Sequence, residues 1–191
     1  MLKNQKGFSL VELVVVIVVV GLLAVAALPR FLDVTDEAKK ASIEGVAGGF
    51  ATGVLSARAQ WEAEARPSEN IGGETYNTVN YDGVDFWLTR SKDSTGTDTD
   101  FRDGYPWALN EDSTSIPTDV TDSACVDMME NLLQNPPKVG TLDDVANGSN
   151  YKYSAQADNT NAFCTYIQLE GGTEHQFVYE IKTGRVTVTL Q

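Results

Sequence analysis

Residues 7–12 combine a possible cleavage point with a carboxylate inside an apolar segment. Glu12 is the only ionisable side chain in the 21 residues from Phe8 to Leu28. An apolar run of this length can cross a hydrocarbon core of ~30 Å as a helix. An ionised carboxylate at the centre of such a span costs at least ~2.5–3.5 kcal/mol, so Glu12 calls for a partner.

The nearest possible partner for Glu12 is an amine. If the peptide bond between Gly7 and Phe8 were cut, the new α-amino group of Phe8 would lie about one helical turn from Glu12. Two such chains could then pair the amine of one copy with the carboxylate of the other. These residue types at this spacing therefore favour charge pairing between copies at membrane depth.

The segment Gly7-Phe8-Ser9-Leu10-Val11-Glu12-Leu13 resembles the processing and assembly signature of type IV prepilins. A short basic leader, Met1–Gly7 with Lys3 and Lys6, precedes it. The resemblance implies that a prepilin peptidase removes residues 1–7 and N-methylates Phe8. It also implies that Phe8, Glu12 and Pro29 take part in assembly.

Two further segments resemble the pilins of the mannose-sensitive haemagglutinin (MSHA) pilus, namely Pro29–Asp33 and Ala38–Gly45. This resemblance implies a surface fibre used for attachment and a helical polymer of this chain with itself or other pilins. It implies as partners the prepilin peptidase, a cytoplasmic assembly ATPase, an inner-membrane platform protein and an outer-membrane secretin. The chain would first be a single-pass inner-membrane precursor and then part of an extracellular pilus.

Two other interpretations of the N-terminus are a secretory signal and a simple membrane anchor. A signal peptide usually has a shorter apolar core than Phe8–Leu28 and ends in a small-x-small cleavage pattern. Pro29-Arg30-Phe31 lacks that pattern, although Ala24 and Ala26 partly match it. A simple anchor requires neither Glu12 nor the Gly7-Phe8 junction, so the prepilin interpretation is preferred.

The charge of the chain excludes nucleic acid as a partner. The chain has 14 basic and 27 acidic residues, and all of them except Lys3, Lys6 and Glu12 follow Leu28. The part after Leu28 therefore has 12 basic and 26 acidic residues and a net charge of −14. Such a body repels nucleic acid and anionic membrane surfaces. Most of this charge is expected to serve solubility. The basic leader opposite an acidic body fits an orientation with residues 1–7 in the cytoplasm.

The two cysteines, Cys125 and Cys164, are predicted to form one disulfide, because an even cysteine count in an exported domain favours pairing. Closing this loop should stabilise the fold by roughly 3–4 kcal/mol in the chain-entropy model. By analogy with pilins, the loop would be the variable, exposed C-terminal region.

Periodicity predicts an α+β fold in which a long N-terminal helix packs on an antiparallel sheet. Residues 8–28 would form the membrane and assembly helix, 29–66 its amphipathic continuation and 67–191 a β-rich head. Pro29 should kink or loosen the helix, and Arg66-Pro67 should end it. One apolar stripe is predicted at Ile43, Val46, Ala47, Phe50, Val54, Ala57 and Trp61. Interior glycines such as Gly49 and Gly53 should be offset by close approach of a sheet.

Strands are predicted from about Thr78 onward, where β-branched and aromatic residues become frequent. The predicted strands are Val84–Leu88, Tyr151–Ala155, Phe163–Leu169, Gln176–Ile181 and Arg185–Leu190. Lys182-Thr183-Gly184 should form a hairpin turn with Gly184 at positive φ. A short helix through Cys125 should begin at a cap near Thr121 and end before Pro136-Pro137.

A weak calcium candidate is formed by Asp93, Asp98, Asp100 and Asp103, because closely spaced oxygen ligands suit Ca²⁺. The spacing fails the EF-hand pattern, since no Glu occupies the twelfth position. A solvated surface loop is therefore preferred, and no cofactor or metal is predicted.

No enzymatic site is predicted. The only histidine, His175, lies in a strand-like stretch that should be partly exposed, and no nucleotide-binding glycine loop occurs. Trp87 or Trp107 could stack on a sugar, although core packing is preferred for both. The alternatives to a major or minor pilus subunit are thus a pseudopilin of type II secretion and a carbohydrate-binding minor pilin. By resemblance, the disulfide favours the pilus subunit over the pseudopilin.

Overall fold

The computed structural model describes residues 7–112, 116–170 and 174–191. The chain separates into two compact units, Met1–Ala41 and Ser42–Gln191. The protein has an α+β fold, as predicted, with a long N-terminal helix and antiparallel sheets. The predicted leader lies outside the described residues except for Gly7.

Helix α1, Leu10–Ala63, begins in the first unit and ends in the second. It continues without interruption through Pro29, which lacks the N–H that would otherwise bond to the carbonyl of Val25. The helix ends within a few residues of the predicted end. Just beyond it, Ala65 and Arg66 both have positive φ, and Arg66 N donates to the carbonyl of Trp61 at 2.9 Å.

In the second unit, α1 buries the predicted apolar stripe. Six of its seven residues are buried and only Val46 is partly exposed; the buried ones are Ile43, Ala47, Phe50, Val54, Ala57 and Trp61. Phe50 is the centre of an aromatic cluster, with ring centroids 5.3 Å from Tyr179, 5.4 Å from Tyr166 and 5.7 Å from Phe177. The spacing of three and four residues therefore predicts the buried face of α1 correctly.

A four-stranded antiparallel sheet has the order β1-β2-β3-β4. Its strands are β1 Ser68–Ile71, β2 Glu74–Tyr81, β3 Val84–Leu88 and β4 Pro106–Leu109. Only β3 was predicted with these bounds. Phe86 and Leu88 join the main core with α1, whereas Trp87 packs with Ala108 in a second, smaller cluster.

A five-stranded sheet has the order β5-β6-β7-β8-β9, and its first pair, β5 with β6, is parallel. All the other neighbouring strands in the two sheets pair in antiparallel fashion, as predicted. The strands are β5 Val139–Gly140, β6 Tyr153–Asp158, β7 Phe163–Gln168, β8 Gln176–Glu180 and β9 Arg185–Thr189. The β8–β9 hairpin has the predicted turn, with Gly184 at φ 73°.

The described residues of the second unit also contain two short helices. Helix α2, Asp122–Leu132, has the predicted N-cap, since Thr121 accepts a hydrogen bond from the backbone N of Ala124. It ends before Pro136-Pro137, as predicted. Helix α3, Leu142–Asn147, was not predicted; a capping box between Thr141 and Asp144 begins it.

At Gly49 and Gly53, α1 is approached by the end of α2 and not by a sheet, so that prediction is wrong for these two glycines. A Cβ at Gly53 would lie 2.3 Å from the carbonyl oxygen of Leu132, at the end of α2. A Cβ at Gly49 would meet the side chain of Leu133 at 3.0 Å. Gly53 is therefore required because the backbone of α2 approaches α1 there.

We expect Gly53→Ala to lower the thermal midpoint of the head, because a Cβ cannot fit against the Leu132 carbonyl and overpacking costs ~1–3 kcal/mol. Gly48→Ala is the matched control, because a Cβ added there would meet no heavy atom within 4 Å. Alanine at this position should keep or raise stability, since it is the better helix former by up to ~1 kcal/mol. Circular dichroism of the full chain in detergent measures both midpoints. Equal midpoints for the two variants would contradict the close approach.

Candidate processing and assembly site

The peptide bond between Gly7 and Phe8 lies outside α1. Residues 7–9 have no regular secondary structure, and the helix begins at Leu10. The first turn closes where Leu13 N donates to the carbonyl of Ser9 at 3.2 Å. The Phe8 side chain is 81 % exposed. A peptidase can therefore reach this bond without unwinding a helical turn.

Glu12 forms a capping box with Ser9 at the start of α1. Glu12 Oε2 accepts hydrogen bonds from Ser9 N at 2.9 Å and from Ser9 Oγ at 2.7 Å. In return, Glu12 N donates to Ser9 Oγ at 3.2 Å. This is the reciprocal arrangement of a Ser at the N-cap and a Glu three residues later.

The sequence analysis did not predict this local partner of Glu12. It treated the carboxylate as lacking any nearby group before the Gly7-Phe8 bond is cut. The spacing Ser9-x-x-Glu12 ahead of an apolar run is itself the sequence signature of a capping box. The structure thus gives Glu12 two donors from its own chain, both of which bond to the same oxygen.

From Leu13 to Leu28, α1 presents an apolar surface on all sides. Leu22, Val25 and Leu28 are 69 %, 75 % and 60 % exposed, and no residue before Ile43 on the described helix is buried. Within the described residues, α1 is the one helix long and apolar enough to cross a membrane. A helix that is apolar all round requires lipid or other apolar helices around it.

The N-terminal segment matches a known family. Residues 2–28 match the family described as the prokaryotic N-terminal methylation motif. The chain is also 42 % identical over 57 residues to the type IV narrow pilus major component PilA5 of Thermus thermophilus. That alignment covers 30 % of this chain and 49 % of the Thermus protein.

Two further relatives extend the similarity into the head. The type IV major alpha-pilin of Moraxella bovis is 34 % identical over 74 residues, 36 % of this chain and 46 % of the relative. The fimbrial protein EcpC of Eikenella corrodens is 33 % identical over 105 residues, 50 % of this chain and 69 % of the relative. The chain belongs to the type IV pilin family. It spans about half the length of the Thermus and Moraxella relatives, and no solved structure matches it.

The predicted disulfide of this pilin is present. Cys125 on α2 and Cys164 on β7 are joined across a sequence separation of 39, with their Cα atoms 5.6 Å apart. Both residues are fully buried. The enclosed segment contains most of α2 together with β5, α3 and β6.

Of the four aspartates in the weak calcium candidate, Asp93 is bonded to its own turn. Its Oδ1 accepts from Thr95 N at 2.9 Å, Thr95 Oγ1 at 2.7 Å and Thr97 N at 2.8 Å. The hydrogen bonds from Thr95 and Thr97 hold the pKa of Asp93 below its usual value. They stabilise the charged carboxylate without a metal ion.

The other three aspartates have separate contacts. Asp103 accepts from Ser91 N at 2.6 Å and from Ser91 Oγ at 2.9 Å. Asp98 accepts from the backbone of Asp100, whose carboxylate lies 3.9 Å from Lys182 Nζ. Within residues 7–112, 116–170 and 174–191, no three His, Cys, Asp or Glu side chains are arranged to hold a metal ion.

His175 is fully buried, so the expectation of partial exposure is wrong. It lies at the end of the five-stranded sheet, where its carbonyl accepts from Gln168 N at 2.8 Å. Its Nδ1 accepts from the backbone N of Gln191 at 3.0 Å. The imidazole thus links Gln191 to the end of the sheet through this hydrogen bond.

Trp87 and Trp107 differ in their access to solvent. Trp87 is 1 % exposed and packs edge-on against Tyr76, so it cannot stack on a sugar. Trp107 is partly exposed and lines a cavity of about 370 Å³ between the two sheets. On the cavity wall, Thr89 Oγ1 donates to the carbonyl of Arg102, and Asn159 Oδ1 accepts from the backbone of Val120. These polar groups are already bonded within the protein.

Proposed function

We propose that this pilin is a structural subunit, major or minor, of a type IV pilus of the MSHA type, with pilin B of that system as the most similar member. The segments Pro29–Asp33 and Ala38–Gly45 support the MSHA assignment by resemblance. The observation that carries the pilus function is the Gly7-Phe8 junction, outside the helix, followed by the apolar segment Phe8–Leu28, in which Glu12 is the one ionisable side chain.

The first step is processing at the membrane. A prepilin peptidase cleaves after Gly7 and methylates the amine of Phe8, with residues 1–7 on the cytoplasmic side. The match of residues 2–28 to the methylation motif and the non-helical bond between Gly7 and Phe8 support this step. Phe8–Leu28 then anchors the subunit in the inner membrane, and the rest of the chain lies outside the cytoplasm.

In the second step, the apolar helix leaves the lipid and packs against the same helix of other subunits. The Phe8 amine of one subunit pairs with Glu12 of a neighbour, which compensates the buried charge and fixes the axial register. Head-to-tail contacts that do not close produce a helical polymer. An assembly ATPase, an inner-membrane platform protein and an outer-membrane secretin would carry out this step. The fibre then serves attachment to surfaces.

Mass spectrometry of sheared fibres tests processing directly. We expect the N-terminal peptide of the wild type to begin with N-methyl-Phe8, because cleavage after Gly7 exposes that amine. Cells without the prepilin peptidase should retain the full chain from Met1 in the membrane fraction. A mature N-terminus beyond Ala26 would instead show a secretory signal, and an unprocessed chain in normal cells would show a simple anchor.

A further inference from the structure

Ser9 controls the orientation of the Glu12 carboxylate. Its hydroxyl and its backbone N–H both donate to Oε2, at 2.7 and 2.9 Å. No donor within the described residues bonds to Oε1. We propose that Ser9 is a positioning residue for assembly, which fixes Oε2 so that Oε1 stays open to the Phe8 amine of a neighbouring subunit. This inference rests on the proposed function.

The capping box survives processing. The cut falls between Gly7 and Phe8, whereas the N–H that bonds to Glu12 belongs to the next peptide unit, between Phe8 and Ser9. Covalent geometry places the Phe8 nitrogen within about 3.6 Å of the Ser9 nitrogen, and therefore within about 6.5 Å of Glu12 Oε2. The mature subunit thus keeps its carboxylate oriented beside its own terminus.

Orientation matters at this depth because a freely rotating carboxylate must be ordered when two helices meet. A partner that is already ordered binds more tightly, since less conformational entropy is lost on contact. Ser9 supplies this order at the start of a helix whose first N–H groups otherwise lack partners. The same hydroxyl therefore satisfies the N–H of Glu12 and fixes its side chain.

Three substitutions at Ser9 separate positioning from simple helix capping. Ser9→Ala removes the hydroxyl and the cap. Ser9→Gly removes the hydroxyl but keeps most of the capping preference, since glycine at an N-cap costs only a few tenths of a kcal/mol. Ser9→Thr keeps both the hydroxyl and the cap. Ser9→Ala and Ser9→Gly therefore share the loss of the hydroxyl that bonds to Glu12 and differ in their capping preference.

The first measurement is the ratio of sheared fibre to membrane pool in cells that produce each variant. Loss of the hydroxyl's hydrogen bond to the charged carboxylate is expected to lower this ratio about tenfold or more, since a hydrogen bond to a charged group contributes ~1.5–3 kcal/mol. We expect this decrease for both Ser9→Ala and Ser9→Gly, and a ratio near that of wild type for Ser9→Thr. If Ser9→Gly assembles like wild type, Ser9 acts only as a helix cap and the inference is wrong.

The second measurement is amide hydrogen exchange of the full chain in detergent micelles, where no fibre forms. The N–H of Glu12 should exchange several-fold faster in Ser9→Gly than in wild type or Ser9→Thr. The N–H of Ser9 should exchange faster in Glu12→Ala. Unchanged exchange would overturn the capping box. Normal exchange without any wild-type fibres would refute the proposed pilus function and leave the Ser9–Glu12 geometry intact.

Discussion

Glu12→Ala is expected to leave processed subunits in the membrane and to reduce sheared fibres at least tenfold. Without the carboxylate, the Phe8 amine of each neighbour would be buried unpaired among apolar helices. Removing one partner of a buried ion pair costs ~3–5 kcal/mol, because the other charge remains desolvated. Immunoblots of sheared and membrane fractions measure the effect, and the mature N-terminus is checked by mass spectrometry.

Glu12→Gln separates the charge of Glu12 from its capping role. Glutamine at this position can still complete a capping box but carries no charge. If charge pairing drives assembly, Glu12→Gln will lose fibres as Glu12→Ala does. Glu44→Ala is the matched control, since Glu44 lies on the exposed face of the same helix, in the second unit. Normal fibres from Glu12→Gln would refute the charge-pair mechanism while leaving the pilin fold unaffected.

Long periodic segments and the C-terminal strands could be predicted from the sequence. The stripe of α1 repeats over many turns, so a misjudged residue such as Val46 does not change the assignment. The last three strands are rich in β-branched and aromatic residues, and their observed bounds differ from the predicted ones by at most one residue at either end. These are the segments in which local propensity and tertiary burial agree.

The strands β1 and β2 were missed because their residues are mostly polar. Their two-residue connection, Gly72-Gly73, has positive φ at both glycines, the turn chemistry of a tight hairpin. That signal was present in the sequence. The strand β5 has only two residues and pairs in parallel with β6, and nothing in so short a segment predicts its partner.

The residues of the candidate site were chosen from the sequence, but the contact between Ser9 and Glu12 was not predicted. Gly7, Phe8 and Glu12 were chosen because Glu12 is an acidic residue inside an apolar run. The resemblance to prepilins adds cleavage after Gly7 as the expected reaction. The Ser9 contact could have been predicted, because the spacing Ser9-x-x-Glu12 ahead of an apolar run is the signature of a capping box. The burial of His175, which precedes β8, depends on long-range packing that the polarity of its sequence neighbours does not reveal.

Replacing both cysteines by alanine is expected to lower the free energy of unfolding of the head by about 4 kcal/mol. The cross-link between Cys125 and Cys164 closes a loop with a sequence separation of 39, which restricts the unfolded chain. This is a large share of the roughly 5–15 kcal/mol that stabilises a typical domain. The midpoint of denaturant unfolding of the full mature chain in detergent measures the change.

The same disulfide should resist reductant while the head is folded, because both sulfur-bearing residues are fully buried. Reduction of the wild type should therefore proceed only as fast as the head opens. Once reduced in denaturant, the wild type should unfold near the midpoint of the double alanine variant. Rapid reduction under native conditions would contradict the burial of Cys125 and Cys164. A double variant with an unchanged midpoint would show that α2 and β7 stay together through packing alone, and that the disulfide adds nothing to the stability of the head.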